Sequence, residues 1–240
     1  MNSSRDSRDF DAQVASIAAL GEPVRRELYR YVVAQPGAVS REQAAIGVGV
    51  AHHVAKFHLD KLEEEGLLEV EFSRPPGRSG PGAGRPAKLY RRSIREIAVS
   101  LPERRYDLAG RIMADAITTA ATSGVPVTEA LRGAASAAGR RLGEDAKRAA
   151  GSRSSQAAQM RAICEVLAAN GYEPRAGKAT ITLANCPFHS LAEDYTDLVC
   201  GMNLDLIGGL VDALDQTKLH AHLDPSPGRC CVTVARAEAS

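Results

Sequence analysis

A chain of 240 residues with 44% hydrophobic and 25% charged side chains has the make-up of a globular protein and fits two modules of roughly 100 to 150 residues each. Its formal net charge of +1 makes the placement of charge, not the total, the informative quantity. No window approaches 18 consecutive apolar residues and MNSSRDSRDFDAQ lacks a basic start or apolar core, so neither a membrane span nor a signal peptide is expected, and the expected location is cytoplasmic.

Residues 1–10 are expected to be disordered, followed by a winged helix-turn-helix over 11–97, a linking and dimerisation helix over 98–125, and a cysteine-containing domain over 126–240. Phe10 to Leu20 carries Val14, Ile17 and Ala18 at helical spacing, which predicts a first helix. Pro23 opens a second, with Val24, Leu28, Tyr31 and Val32 as its apolar stripe and Pro36-Gly37 as its stop. Ser40 and Gln43 form a capping-box pattern for a short helix through Ile46. Gly47 and Gly49 then turn the chain into a longer helix from Val50 to Glu65, ended by Gly66. Leu67 to Phe72 and Lys88 to Arg92 read as two strands, joined by SRPPGRSGPGAGRPA, too rich in Pro and Gly for regular structure.

A short helix, a glycine turn, a second helix and a basic two-stranded wing form the arrangement that puts one helix in the major groove of duplex DNA. Val54, Leu59 and Leu62 face the preceding helices, which leaves His52, His53, Lys56 and Phe57 as candidate base contacts; His58 lies on the more buried side. Arg74, Arg78, Arg85 and Lys88 lie in a stretch without acidic residues and are candidate phosphate contacts, and Ser40 is a further candidate. VSREQAAIGVGVAHHVAKFHLDKLEEEGLLEV and GRSGPGAGRPAKLYRR resemble the ArsR-like winged-helix regulators of actinobacteria, the first run holding the recognition helix and the second the wing. Ala51 departs from that pattern, because such helices commonly begin with a Ser or Thr cap.

After Pro102, helices are expected over Glu103 to Thr122, Val127 to Ala150 and Ser154 to Asn170, then a hairpin over Gly171 to Arg175 and Lys178 to Leu183. Leu191 to Leu214 reads as mostly helical, and Lys218 to Leu223 and Cys230 to Ala235 as closing strands, giving an α+β chain overall. The five cysteines are Cys164, in an apolar helix and read as packing, and Cys186, Cys200, Cys230 and Cys231. Cys186 precedes a helix start that favours a thiolate. Adjacent Cys230 and Cys231 on a strand would point to opposite faces, so one of them is expected to enter a shared site.

Soft thiolates select an iron-sulfur cluster or zinc. A [4Fe-4S] cluster could take three of these cysteines with a different fourth ligand; zinc could take three with His189, or both members of the pair; reduced or redox-active thiols are the third reading. No phosphate-cradling glycine loop or oriented nucleophile is legible, so an enzyme is not expected. CPFH, LVCGMNLDLIGGL and HLDPSPGRCCV resemble the sensor domain of SufR-type regulators, ArsR-like repressors of iron-sulfur assembly genes. That resemblance implies a [4Fe-4S] cluster on Cys186, Cys200 and one of Cys230 and Cys231, in a homodimer that binds an inverted-repeat operator when loaded and leaves it when the cluster is lost.

Overall fold

In the computed structural model, which describes residues 3–73, 86–150, 156–177, 180–214 and 219–236, the chain divides into two units, Met1–Val99 and Ser100–Ser240, each with its own core.

The first unit begins with α1, Ser3–Ala19, so residues 3–10 of the stretch expected to be disordered belong to a helix. Its packing face differs from expectation: Ser16 and Ala19 are buried, whereas Phe10, Val14 and Ile17 form an exposed stripe. Ser16 explains the choice, since its hydroxyl donates to the Glu65 carbonyl at 2.7 Å and so turns the small-residue side inward. Helix α2, Pro23–Ala34, is capped by the Glu22 carboxylate, which accepts from the amides of Val24 and Arg25, and buries Leu28 and Val32. Helix α3, Arg41–Val48, carries the expected capping box, Ser40 Oγ accepting from the Gln43 amide at 3.1 Å and Gln43 Oε1 from the Ser40 amide at 2.8 Å. Gly49 ends it at φ +73°, a conformation that favours glycine, and α4 follows over His52–Glu64.

Three antiparallel strands complete this unit: β1, Val39–Ser40; β2, Leu68–Ser73; and β3, Ala87–Arg92, in the order β1-β3-β2. The two-residue β1 pairs Val39 with Tyr90 and was not foreseen, because two residues show no periodicity. The hairpin register runs from Leu68↔Arg92 to Ser73↔Ala87.

The second unit comprises α5 (Tyr106–Ser123), α6 (Val127–Ala150), α7 (Gln156–Ala168), a sheet in the order β4 (Pro174–Ala176), β5 (Thr180–Leu183), β7 (Val232–Arg236) and β6 (Leu219–Leu223), and helices α8 (His189–Asp194) and α9 (Thr196–Leu214). The segment expected as a separate linking helix is instead part of this core: α5 buries Ala109, Ile112 and Ala116. The expected helix over Leu191 to Leu214 is two, broken at Tyr195 (φ −132°, ψ 53°).

Helices α6 and α9 touch backbone to backbone. A Cβ on Gly139 would lie 1.9 Å from the Leu206 carbonyl oxygen, and one on Gly209 would lie 2.1 Å from that of Ser136. Only glycine permits this approach, which seats α9 and the side chains it carries. Gly139→Ala and Gly209→Ala should each cost about 1–3 kcal/mol or more through forced separation of the helices. Gly133→Ala, where an added Cβ meets nothing within 4 Å, should be neutral or stabilising through better helix propensity. Thermal unfolding of the three variants measures the contrast, and equal losses would refute the backbone-contact account.

Candidate functional sites

Helix α4 turns Ala55, Leu59 and Leu62 into the core and leaves His52, His53, Lys56 and Phe57 exposed on its N-terminal half. Ala51 gives this helix no side-chain cap, whereas the Ser40 hydroxyl is engaged as the cap of α3. Further along α4, Lys61 pairs with Glu64 at 3.0 Å and Glu65 at 2.7 Å. Cationic character on the exposed side is therefore concentrated at the helix start. His58 is packed, as expected: its side chain is 12% exposed and Nδ1 accepts from Arg25 Nε at 3.4 Å. Arg74, Arg78 and Arg85 lie outside the described residues.

Lys88, expected at the DNA backbone, is instead engaged inside the fold. Its ammonium donates to Asp60 Oδ1 at 2.8 Å and Glu63 Oε2 at 2.5 Å and sits 5.1 Å from the centre of the Tyr90 ring. Asp60 also accepts from the buried Tyr90 hydroxyl at 2.5 Å and from Arg41 Nη2 at 2.9 Å. This network joins α3, α4 and β3, and so fixes the angle between the exposed edge of α4 and the root of the hairpin. Burial opposes the Asp60 carboxylate, but hydrogen bonds from Lys88, Tyr90 and Arg41 outweigh it and hold its pKa down at about 2. Burial likewise opposes the Lys88 ammonium, and its bonds to Asp60 and Glu63 outweigh that and raise its pKa. The sequence showed Lys88 as one of a run of basic residues, and the acidic residues of α4 that claim it lie 25 and 28 positions away.

In the second unit the four cysteines singled out from the sequence come together. Cys186 stands in the loop between β5 and α8, Cys200 one turn into α9, and Cys230 and Cys231 just before β7. Cys186 and Cys231 lie close enough to Cys230, and Cys200 close enough to Cys231, to shift one another's titration. Both members of the adjacent pair thus reach the site, contrary to the expected one. The strand begins at Val232, after the pair, so the alternation of a strand does not govern it. Cys230 is buried and the other three are half-buried.

Among these thiols, Cys230 is drawn toward the thiolate by its neighbours. Hydrogen bonds from Cys186 and then Cys231 lower the Cys230 pKa to about 3 against the opposing effect of burial. Cys186 and Cys231 are raised, chiefly by their interaction with Cys230 and then by burial. The helix start near Cys186 does not offset this. Its own backbone carbonyl is occupied, accepting from the His189 amide at 3.1 Å and from Arg104 Nη1 at 3.0 Å.

Two buried residues that sequence reasoning missed complete the surroundings. Asn203 Nδ2 donates to Cys230 Sγ at 3.2 Å, and the Tyr172 hydroxyl donates to Asn203 Oδ1. Phe188, fully buried, meets the Tyr172 ring edge-on with centroids 6.3 Å apart. Asn203 was findable: it lies three positions after Cys200 on the same helix, hence on the same face. His189, by contrast, is exposed and pairs with Glu193 at 3.4 Å. Cys164 lies on α7 packed against the core, its thiol pushed up by burial and by Glu165.

Among the described residues no three His, Cys, Asp or Glu side chains form a ready-made metal shell. Thiols are the donor type that a thiophilic metal would take, losing their protons as it bound. Also among the described residues, no helix is long and apolar enough to cross a membrane.

The sequence pattern of a family described as a helix-turn-helix domain matches residues 20–71, from the turn before α2 into β2. No curated protein and no solved structure matches the chain. Fold and pattern agree that the first unit holds a helix-turn-helix domain, the kind of domain that binds DNA in transcriptional regulators.

Asp60→Asn should lower stability at neutral pH by about 1–2 kcal/mol, the range for a partly exposed charged network screened by solvent. A carboxylate depressed to about 2 contributes stability that is complete above its unfolded value of about 4 and is lost as pH falls from there toward 2. The gap between wild type and variant should therefore be constant from pH 7 to about 5 and close between about pH 4 and 2. Chemical unfolding across that range checks it, and a gap independent of pH would exclude Asp60 as the titrating group.

Proposed function

We propose that this chain is a transcriptional repressor that binds an inverted-repeat operator in double-stranded DNA as a homodimer, with operator affinity controlled by a [4Fe-4S] cluster on the C-terminal cysteines. The observation that carries this reading is the convergence of Cys186, Cys200, Cys230 and Cys231 in one largely buried neighbourhood of a chain whose other unit is a helix-turn-helix domain. Three separate segments of the second unit supply these thiols, which packing alone does not require.

Cys186, Cys200, Cys230 and Cys231 are the residues that would hold the cofactor. When bound, an iron-sulfur cluster supplies a redox-sensitive group whose loss can be read as a signal. The chain's own contribution is to gather the sulfurs, to stabilise charge on Cys230 through the Asn203 amide, and to exclude water with Phe188, Tyr172 and the core around them. The alternative cofactor is zinc, and the reach of both Cys230 and Cys231 favours an all-cysteine shell for it over one completed by His189.

On the DNA side, the exposed start of α4 presents His52, His53, Lys56 and Phe57 to base edges, with Ser40 and the wing arginines Arg74, Arg78 and Arg85 at the backbone. One such domain covers one half-site, which is the argument for a twofold dimer.

Anaerobically purified protein should be brown and absorb near 400 nm, with iron and inorganic sulfide by analysis. Cys186→Ser and Cys200→Ser should abolish the absorbance and weaken operator binding, whereas Cys164→Ser and His189→Ala should do neither. Colourless wild type containing zinc would select the alternative, and full operator affinity in a cofactor-free Cys186→Ser/Cys200→Ser protein would overturn control by the thiols altogether.

His53→Ala and Lys56→Ala should each cost about 1–3 kcal/mol of discrimination between specific and random duplexes, the worth of a good base contact. Competition binding at fixed salt measures this, and unchanged discrimination would remove α4 from the groove.

A further inference from the structure

The segment that joins the two units is bonded to the cysteine loop. Residues 100–105 run from the end of the first unit to the start of α5, and Glu103, Arg104 and Arg105 bind the backbone and side chains around Cys186. Arg104 Nη1 donates to Asn185 Oδ1 at 2.6 Å and to the Cys186 carbonyl at 3.0 Å. In return, the Asn185 amide donates to the Glu103 carbonyl at 3.0 Å and to that of Gly171 at 2.6 Å. The Arg105 backbone amide donates to the Pro187 carbonyl at 3.1 Å. The three consecutive residues 185, 186 and 187 thus each hold the connecting segment, and the middle one carries a thiol of the site.

We propose that Arg104 and Asn185 are the coupling residues of this protein: they form a latch through which the state of the thiol site sets the position of the segment leading to the DNA-binding unit. The inference rests on the reading of a thiol-controlled regulator and adds the route of control. Loading or emptying the site changes what the Cys186 sulfur bonds, and its backbone can answer only by moving relative to groups it shares with Glu103, Arg104 and Arg105. Asn185 suits the role because it is buried and uses its oxygen and its nitrogen at once, so that a displacement of the loop breaks bonds on both sides of it. Arg104 carries a permanent charge and gives one nitrogen to two acceptors of the loop. Neither side chain contacts a sulfur in any of these bonds, which separates coupling from cofactor binding.

The test uses full-length protein in two forms, anaerobically loaded with ferrous iron and sulfide, or with Zn²⁺ if that is the metal found, and stripped by chelator. The DNA probe is a duplex selected from a random pool by loaded wild type. The readouts are affinity of each form, metal content and spectrum, and hydrogen exchange of the amides from 103 to 109. Coupling of ordinary strength gives wild type a ratio between the two forms of about 5 to 150. Arg104→Gln should keep the wild-type metal content and spectrum, raise exchange in the connecting segment, and bring the ratio to within about twofold of unity. Arg104→Lys, which restores one donor, should recover part of the ratio. A variant with freed amides and an undiminished ratio overturns the latch while leaving thiol control intact. Loss of the metal in Arg104→Gln overturns it by making Arg104 a site-building residue. A ratio near unity in wild type itself overturns both the latch and the reading on which it rests.

Discussion

Everything in the second unit depends on how closely α6 and α9 approach. With Gly139 and Gly209 at the crossing, the two backbones meet with no side chain between them, and the depth and rotation of α9 are set by main-chain contact. Cys200 and Asn203 ride on that helix. Their reach toward Cys230 and Cys231 is therefore a consequence of two missing methyl groups, one on each helix of the crossing. The sheet supplies the other half: β5 delivers the Cys186 loop and β7 starts immediately after the cysteine pair. The Cys230 amide is tied to the Leu183 carbonyl at 2.9 Å, so the two sulfur-bearing loops are registered to each other before their side chains meet.

Most of the first unit was legible because its signals are local. Pro23, the Ser40/Gln43 box and Gly49 punctuate helices whose apolar positions recur at the expected period, and they appear within a few residues of where the sequence put them. What failed was non-local. The inward face of α1 is chosen by a serine hydroxyl that finds a carbonyl 49 positions away, which outweighs the modest apolar stripe of Val14 and Ile17. Lys88 looked free because the carboxylates that claim it belong to another element.

The cysteines show the same division. Their identity as a group was legible from clustering in a chain with none before Cys164. The behaviour of the adjacent pair was not, because it turned on whether the strand began at Cys230 or at Val232, and element boundaries are the least local part of strand pairing. The polar contact that Cys230 receives was not legible either, since the Asn203 amide that donates to its sulfur comes from another element. Tyr172 carried no motif of its own, and its role follows only once α9 is seated, whereas Asn203 was marked by its spacing from Cys200.

The network around Asp60 bears on how such a chain changes over generations. Arg41, Asp60, Lys88 and Tyr90 satisfy one another's hydrogen bonds at the junction of α3, α4 and β3, with Glu63 as the second carboxylate on Lys88. Losing any one member strands a half-buried charge or hydroxyl, which is costly, whereas trading several at once for well-packed apolar side chains can be nearly neutral. Drift at these four positions is therefore barred in single steps and open in concerted ones, so descendants of this chain would be found with the whole set or with none of it.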